Sequence, residues 1–295
     1  MLYQVPGVYD LTLPESVEVP LVLDSPHSGH DYPDDFQSLV PKADLRRVED
    51  SFVDDLFGTA AQWGATLLCA RFPRSYIDPN RAATDIDPGL LMGTWPEPLR
   101  PTEKSRLGHG LVWKTYPPNR PLYAGKLPVT AVHRRIEKYW RPYHETLETE
   151  IRRLHSAHGC VYHLNCHSMP STSSPFMAGG GRFGGRADFV LGDRDGTSCD
   201  GAYTDFVRDF LQKQGYAVRL NDPYRGAELV RAYAAPDQGR HSLQIEINRA
   251  LYMDEGTLQP GQGYQALRNS LTGLIASLAQ FARDHRNSIR AEAAE

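Results

Sequence analysis

The stretch "VYHLNCHSMPS", residues 161–171, decides how the rest of the chain is read. Its start, "CVYHLNC", has the look of a buried β-strand. It then places His163, Cys166 and His167 among apolar and small residues and turns at once on Pro170. Alternation puts His163 and Cys166 on opposite faces, with His167 just beyond the strand. Metal-competent groups at the end of a buried strand raise the question of what other strands bring to the same edge.

Outward from that strand, short apolar runs alternate with amphipathic ones. "VEVPLVLDSP" (17–26), "ATLLCARF" (65–72), "DFVLG" (188–192), "YAVRL" (216–220) and "HSLQIEINRALYM" (241–253) read as further strands. Helical spacing runs through 43–64, where Leu45, Val48, Phe52, Val53, Leu56 and Phe57 recur and Gly64 stands at the C-cap position. It also runs through 129–159, with a kink expected at Pro142, and through 201–215 and 263–285. This alternation predicts an α/β fold of three layers, a mostly parallel central sheet with helices on both faces. Residues 1–295 read as a single catalytic domain. A Pro- and Gly-containing excursion at about 85–129 reads as a lid, a subunit contact or cover for the sheet edge, with the lid preferred, and 286–295 reads as a mobile tail.

Composition narrows the function. The chain has 295 residues, 40% hydrophobic and 23% charged, with a net charge of −4, so no basic surface points to nucleic acid. No apolar run is long enough to span a bilayer. The N-terminus has no signal-peptide pattern, and the four cysteines form no C-x-x-C pair, which together predict a cytoplasmic protein. Nothing in the sequence fixes the oligomeric state.

In such sheets ligands bind beyond the carboxyl ends of the strands. Those ends carry Asp24, His27 and His30, then Arg74, Tyr76, Asp78, Asn80 and Arg81, then His167 and Ser168, and finally Glu246, Asn248 and Arg249. Neutral imidazole and carboxylate are good zinc ligands, and a hydrolytic zinc site needs three of them. His27 and His167 stand at equivalent exits, although a lone strand-end histidine more often serves structure. Glu246 sits between isoleucines in "QIEIN", where a carboxylate must be paired, metal-bound or functional. "GRFGG" (181–185) lacks the Lys-Ser/Thr of a phosphate loop.

"LVLDSPHSG", "SYIDPNR", "NCHSMPS", "DFVLGDRDGT", "NDPYRGAELVR" and "GRHSLQIEINRALYMDE", in this order from about Val19 to Glu255, resemble the N-formylglutamate amidohydrolase family. The resemblance implies a zinc-carboxypeptidase-like (phosphorylase/hydrolase-like) fold and one divalent metal ion, zinc by preference. The implied reaction is hydrolysis of N-formyl-L-glutamate to L-glutamate and formate, in histidine degradation. The matching motifs supply His27 and His167 as metal ligands. The third ligand is expected to be Asp50, on the helix after the first strand, with Glu49 and His30 as alternatives. Glu246 stands at the general-base position, and His241 either assists proton transfer or braces Glu246. Asn80 and Arg81 are expected on the α-carboxylate of a small acidic substrate, and Arg74 on the formyl oxygen or the second carboxylate. Arg249, Arg225 and Arg186, the last on the Gly-rich loop, are further substrate-binding candidates. Two rival readings remain open: a hydrolase of another N-acyl amino acid, and a non-catalytic binder of an acidic metabolite.

Overall fold

A computed structural model describes residues 1–171 and 187–292, with side chains to 285. Among these, eight strands form one sheet: β1 (Leu2–Val5), β2 (Tyr9–Thr12), β3 (Leu21–Ser25), β4 (Thr66–Ala70), β5 (Val161–Met169), β6 (Phe189–Gly192), β7 (Val218–Leu220) and β8 (Arg240–Asn248). The spatial order is β1-β2-β4-β3-β5-β8-β6-β7. The central four, β4-β3-β5-β8, are mutually parallel. The flanks differ from the sequence expectation: β2 is antiparallel to β4, β6 is antiparallel to β8, and β1 and β2 form an antiparallel pair. The sheet is therefore mixed, with a parallel centre whose carboxyl ends share one edge.

The helices are α1 (Lys42–Leu45), α2 (Val53–Leu56), α3 (Glu103–Arg106), α4 (Val129–Arg135), α5 (Arg141–His158), α6 (Gly201–Lys213), α7 (Glu228–Tyr233) and α8 (Tyr264–Glu292). One apolar cluster joins α2, α6 and α8 to Leu23, Leu164, Cys166, Leu243 and Ile245 on one sheet face. A second joins α4, α5 and α7 to Val22, Leu68 and Val161 on the other. Helices thus cover both faces, as three layers require. No described helix is long and apolar enough to cross a membrane. The helix α8 takes in most of the expected tail, and 293–295 lie outside the described residues.

The two central strands are buried along almost their whole length, yet both alternate in polarity. In β5 Tyr162, Leu164 and Cys166 enter the first cluster, while His163, Asn165 and His167 point to the opposite face. In β8 Leu243, Ile245 and Ile247 do likewise against Ser242, Gln244 and Glu246. Alternation of period two usually marks a strand with one wet face. Here the polar face is buried and must find its partners inside the protein. Strand register then lines them up: Ser242 beside His163, Gln244 beside Asn165 and Glu246 beside His167.

Two expectations need correcting. His167 lies within β5 and not beyond it, because the strand continues to Met169. The helix expected over 43–64 is broken into α1, a 3-10 turn at Arg46–Val48, α2 and a second 3-10 turn at Ala60–Trp63. Between the first turn and α2, Asp50 donates its backbone N–H to His27 O at 3.0 Å, and Phe52 takes a left-handed φ of 69°. Asp50 is held by the His27 loop, so the segment gives up helical continuity there. Gly64 does close this segment in the left-handed region, at φ 87°. At Pro142 the chain forms a π turn over Ile136–Trp140, in which Arg141 N–H reaches back to Ile136 O. Pro142 has no N–H and its ring crowds the turn before it, so a widened turn accommodates both defects. That turn stacks Trp140 on His144, with centroids 3.7 Å apart, and lets Trp140 Nε1 donate to Arg81 O at 2.9 Å.

The candidate active site

His27, Asp50 and His167 converge at the carboxyl edge of the parallel strands, all three buried. One ligand atom from each lies within 4.8 Å of the other two. His27 is carried by the loop after β3. Gly29 lets that loop press on the exit of β4: a Cβ there would stand 2.4 Å from the Arg71 carbonyl carbon. His167 comes from β5, and Asp50 from the break between the short helices.

Each of the three is fixed from behind. Asp78 Oδ1 lies 2.7 Å from His27 Nε2, which turns Nδ1 of the same ring toward Asp50 Oδ2 at 3.5 Å. His27 Nδ1 is buried and has no hydrogen-bond partner among the described residues. A bare imidazole nitrogen facing a carboxylate and a second imidazole is what a divalent ion would complete, so the donor set fits zinc. His167 Nδ1 lies 2.9 Å from Asp50 Oδ2, and Arg249 Nη2 donates to Asp50 Oδ1 at 3.1 Å. Burial pushes the Asp50 carboxyl up, but His167, bonded to it, and His27, 3.5 Å away, hold it well below the usual range. Asp78 behaves alike: burial raises it, and His27, Arg74 and Arg81 hold it well below. Both are therefore ready as carboxylates. The alternatives to Asp50 point elsewhere. Glu49 is bound by Tyr32 Oη and Arg46 Nη1, and the exposed His30 sits against Ser28 O.

Glu246 neighbours His167 in register and accepts from Gln244 Nε2 at 2.8 Å. Burial and then the Asp50 charge raise its carboxyl from an ordinary 4.5 to about 8, with Arg74 and Arg249 opposing. A raised value means the fold keeps the proton that the unfolded chain gives up. The stability this contributes is complete below pH 4.5 and is lost as pH rises toward about 8. Asp50 and Asp78, held low, act in the opposite sense and only below pH 3.8. Urea unfolding of metal-free protein at pH 5 and pH 8 is expected to show a smaller stability loss at the higher pH for Glu246→Gln than for the parent. An equal loss in both would contradict the burial of this carboxyl.

His27, Asp50, His167 and Glu246 line a cavity of about 610 Å³. Arg74 enters it with Nη2 on Asp78 Oδ2 at 3.0 Å and its guanidinium over Trp113. Arg74 Nε is buried with no partner among the described residues. Arg81 donates to the backbone oxygens of Asn80 and His109 beside it. The excursion forms one wall, contributing Lys104 from α3 and the buried Trp113. Desolvation and the charges of Arg81 and Arg74 draw the Lys104 ammonium below its usual range, although its side chain keeps contact with solvent. Three cations thus crowd one wall of the cavity.

Other expected site residues have different surroundings. Asn80 is buried, its Oδ1 accepting from Leu229 N–H at 2.9 Å and its Nδ2 lying 3.0 Å from His167 Nε2. All three guanidinium nitrogens of Arg249 are engaged, by Ser168 Oγ, Arg47 O and Asp50 Oδ1. Arg225 is exposed at the cavity rim and pairs with Asp195 at 3.1 Å. Arg186 lies outside the described residues. His241 is a correction: it stacks on Tyr162, 4.9 Å between centroids, on the sheet face opposite Glu246. Five residues along a strand also separate the two by roughly 16 Å, so His241 cannot brace Glu246 or pass it a proton. Sequence reading did not single out Asp78 as the partner of His27, nor Asn165 beside His167, nor Lys104 at the cavity wall. Asp78 had a signal, since it shares the "YIDPNR" exit with Arg74; Lys104, in an aperiodic segment, had none.

Residues 19–253 match the sequence model of the N-formylglutamate amidohydrolase family. The chain is 31% identical to the N-formylglutamate deformylase of Pseudomonas aeruginosa over 283 residues, 90% of this chain and 95% of that one. It is 29% identical to the enzyme of the same name from Pseudomonas putida, over 80% of this chain and 83% of the relative. Among solved structures, N-formylglutamate amidohydrolase from Ralstonia eutropha JMP134 superposes with a TM-score of 0.89 at 45% identity, covering 95% of this chain and 99% of that one.

Proposed function

The chain belongs to the N-formylglutamate amidohydrolase family, and from that premise we propose that it hydrolyses N-formyl-L-glutamate to L-glutamate and formate, using one divalent metal ion held by His27, Asp50 and His167. Zinc is the preferred ion for two imidazoles and a carboxylate. We place the reaction in histidine degradation and the protein in the cytoplasm, where its four buried cysteines stay as free thiols. We assign the chain a zinc-carboxypeptidase-like fold as part of the same proposal. The observation that carries the proposal is the unpartnered Nδ1 of His27, aimed at Asp50 and His167 in a cavity that also holds Glu246.

When bound, the ion supplies Lewis acidity at the edge of the sheet. The chain's own groups do the rest. Glu246, once ionised, takes a proton from the attacking water as its oxygen bonds to the formyl carbon. It then returns that proton to the amine nitrogen as the C–N bond breaks. Arg74 Nε donates to the oxygen on which negative charge develops, the kind of interaction that often supplies the largest share of rate enhancement. Asp78 and Arg249 hold His27 and Asp50 in place. Arg81 and Lys104 offer cations for the two substrate carboxylates; Asn80, its amide already committed, serves His167 instead.

Formate release from N-formyl-L-glutamate, compared with N-formyl and N-acetyl amino acids lacking a side-chain acid, tests the substrate. A clear preference for formylglutamate is expected, and equal rates across the panel would contradict it. Lys104→Met removes one charged contact worth about 1.5–3 kcal/mol, so kcat/KM for formylglutamate is expected to fall about 10–100-fold. The rate on a formyl amino acid with an apolar side chain should hardly change. Equal losses on both would reject Lys104 as a carboxylate contact.

A further inference from the structure

Beneath the metal-ligand cluster lies a polar network that stays outside the cavity and reaches the ion site through Asn165. At its centre is Asp24 on β3, fully buried. Asp24 Oδ1 accepts from Asn165 Nδ2 at 2.8 Å and lies 2.9 Å from His163 Nε2; Asp24 Oδ2 accepts from Tyr143 Oη at 2.7 Å. Ser242 Oγ, 2.9 Å from His163 Nδ1, holds the far side of that ring. Register makes the arrangement rigid, since Asp24 pairs with Asn165 across β3 and β5, and Ser242 with His163 across β8 and β5.

We propose that Asp24 is a positioning residue for His167, acting through Asn165 to select which ring nitrogen of His167 faces the metal; this rests on the metal-site reading above. An ionised carboxylate only accepts, so Asn165 must present its NH₂ to Asp24. Its Oδ1 is thereby turned the other way, to 2.8 Å from His167 Nε2. A carbonyl oxygen also only accepts, which favours a proton on Nε2 and leaves the Nδ1 lone pair toward Asp50. Asn80 works against it. Its oxygen is held by Leu229 N–H, so its NH₂ faces the same Nε2. That arrangement favours a bare Nε2 and a proton on Nδ1, where Asp50 Oδ2 stands ready to accept at 2.9 Å. Two asparagines of opposite polarity therefore compete for one imidazole nitrogen. Asn165, anchored by Asp24, selects the ligand-ready tautomer, and Asn80 selects the metal-free one.

The test is zinc affinity of the metal-free chain by competition with a chromophoric chelator, together with the His167 tautomer by ¹⁵N NMR of the ring nitrogens. Loss of a group that orients a metal ligand typically weakens metal binding about 10–100-fold. That loss is expected for Asn165→Leu and, in the same direction, for Asp24→Asn, each with His167 shifted toward the Nδ1–H form. Asn80→Leu is expected to bind zinc no more weakly than the parent. Should Asp24→Asn fail to fold, Asn165→Leu decides, because it leaves His163 and Tyr143 on Asp24. A folded Asn165→Leu with parental affinity and tautomer would overturn the inference, as would equal weakening by Asn80→Leu and Asn165→Leu. A parent chain that takes up no zinc would sink the metal-site reading itself; parental uptake with unchanged variants would sink this inference alone.

Discussion

Glu246→Gln is expected to retain zinc and lose about 10²–10⁴ in kcat, the usual contribution of a positioned general base. The substitution is nearly isosteric, and the amide can still meet Gln244. It leaves His27, Asp50 and His167 untouched, so metal content should match the parent. What disappears is the group that carries the proton from water to the leaving amine. The parent's kcat/KM should rise with pH as Glu246 ionises. Burial holds that carboxyl at about 8 in the metal-free chain, and a nearby cation draws it lower. The variant should lack this limb. Near-parental turnover, or an unchanged pH limb, would remove Glu246 from the chemistry.

His167→Ala is expected to fail differently, losing metal first and activity as a consequence. A direct ligand should matter more than the groups behind it, so zinc affinity should drop by more than about 100-fold. Turnover should fall to background at stoichiometric zinc. Stability should also suffer. Asp50 would lose the partner 2.9 Å from its Oδ2 while staying buried, and an unsatisfied buried group costs about 1–3 kcal/mol. Metal analysis by mass spectrometry separates the two variants: zinc present but idle in Glu246→Gln, zinc absent in His167→Ala. If His167→Ala kept both zinc and turnover, the assigned ligand set would be wrong.

Much of this site was legible because strand exits in a parallel sheet share one edge. His27, Arg74 and Arg81 could be placed near His167 and Glu246 from that rule alone, and the parallel centre of the sheet bears it out. Glu246 announced itself as a carboxylate between isoleucines. Other features were hidden for physical reasons. Asp50 lies in a segment whose apolar spacing is helical, yet tertiary contacts to His27 and Arg249 break the helix where it is needed. Arg249 and Asn80 carry the residue types of a substrate clamp, but their hydrogen-bonding groups are spent inside the protein. His241 shares a strand with Glu246, and only the parity of the strand reveals that they face opposite sides. The antiparallel flanks left no mark in a pattern of alternating strands and helices.

The most direct measurement pairs zinc stoichiometry with formate release from N-formyl-L-glutamate on one sample, before chelation, after it and after zinc is restored. One zinc per chain is expected, with turnover lost on chelation and recovered on restoration. Full turnover by folded, metal-free protein would contradict the central claim, as would a folded chain that takes up no divalent ion.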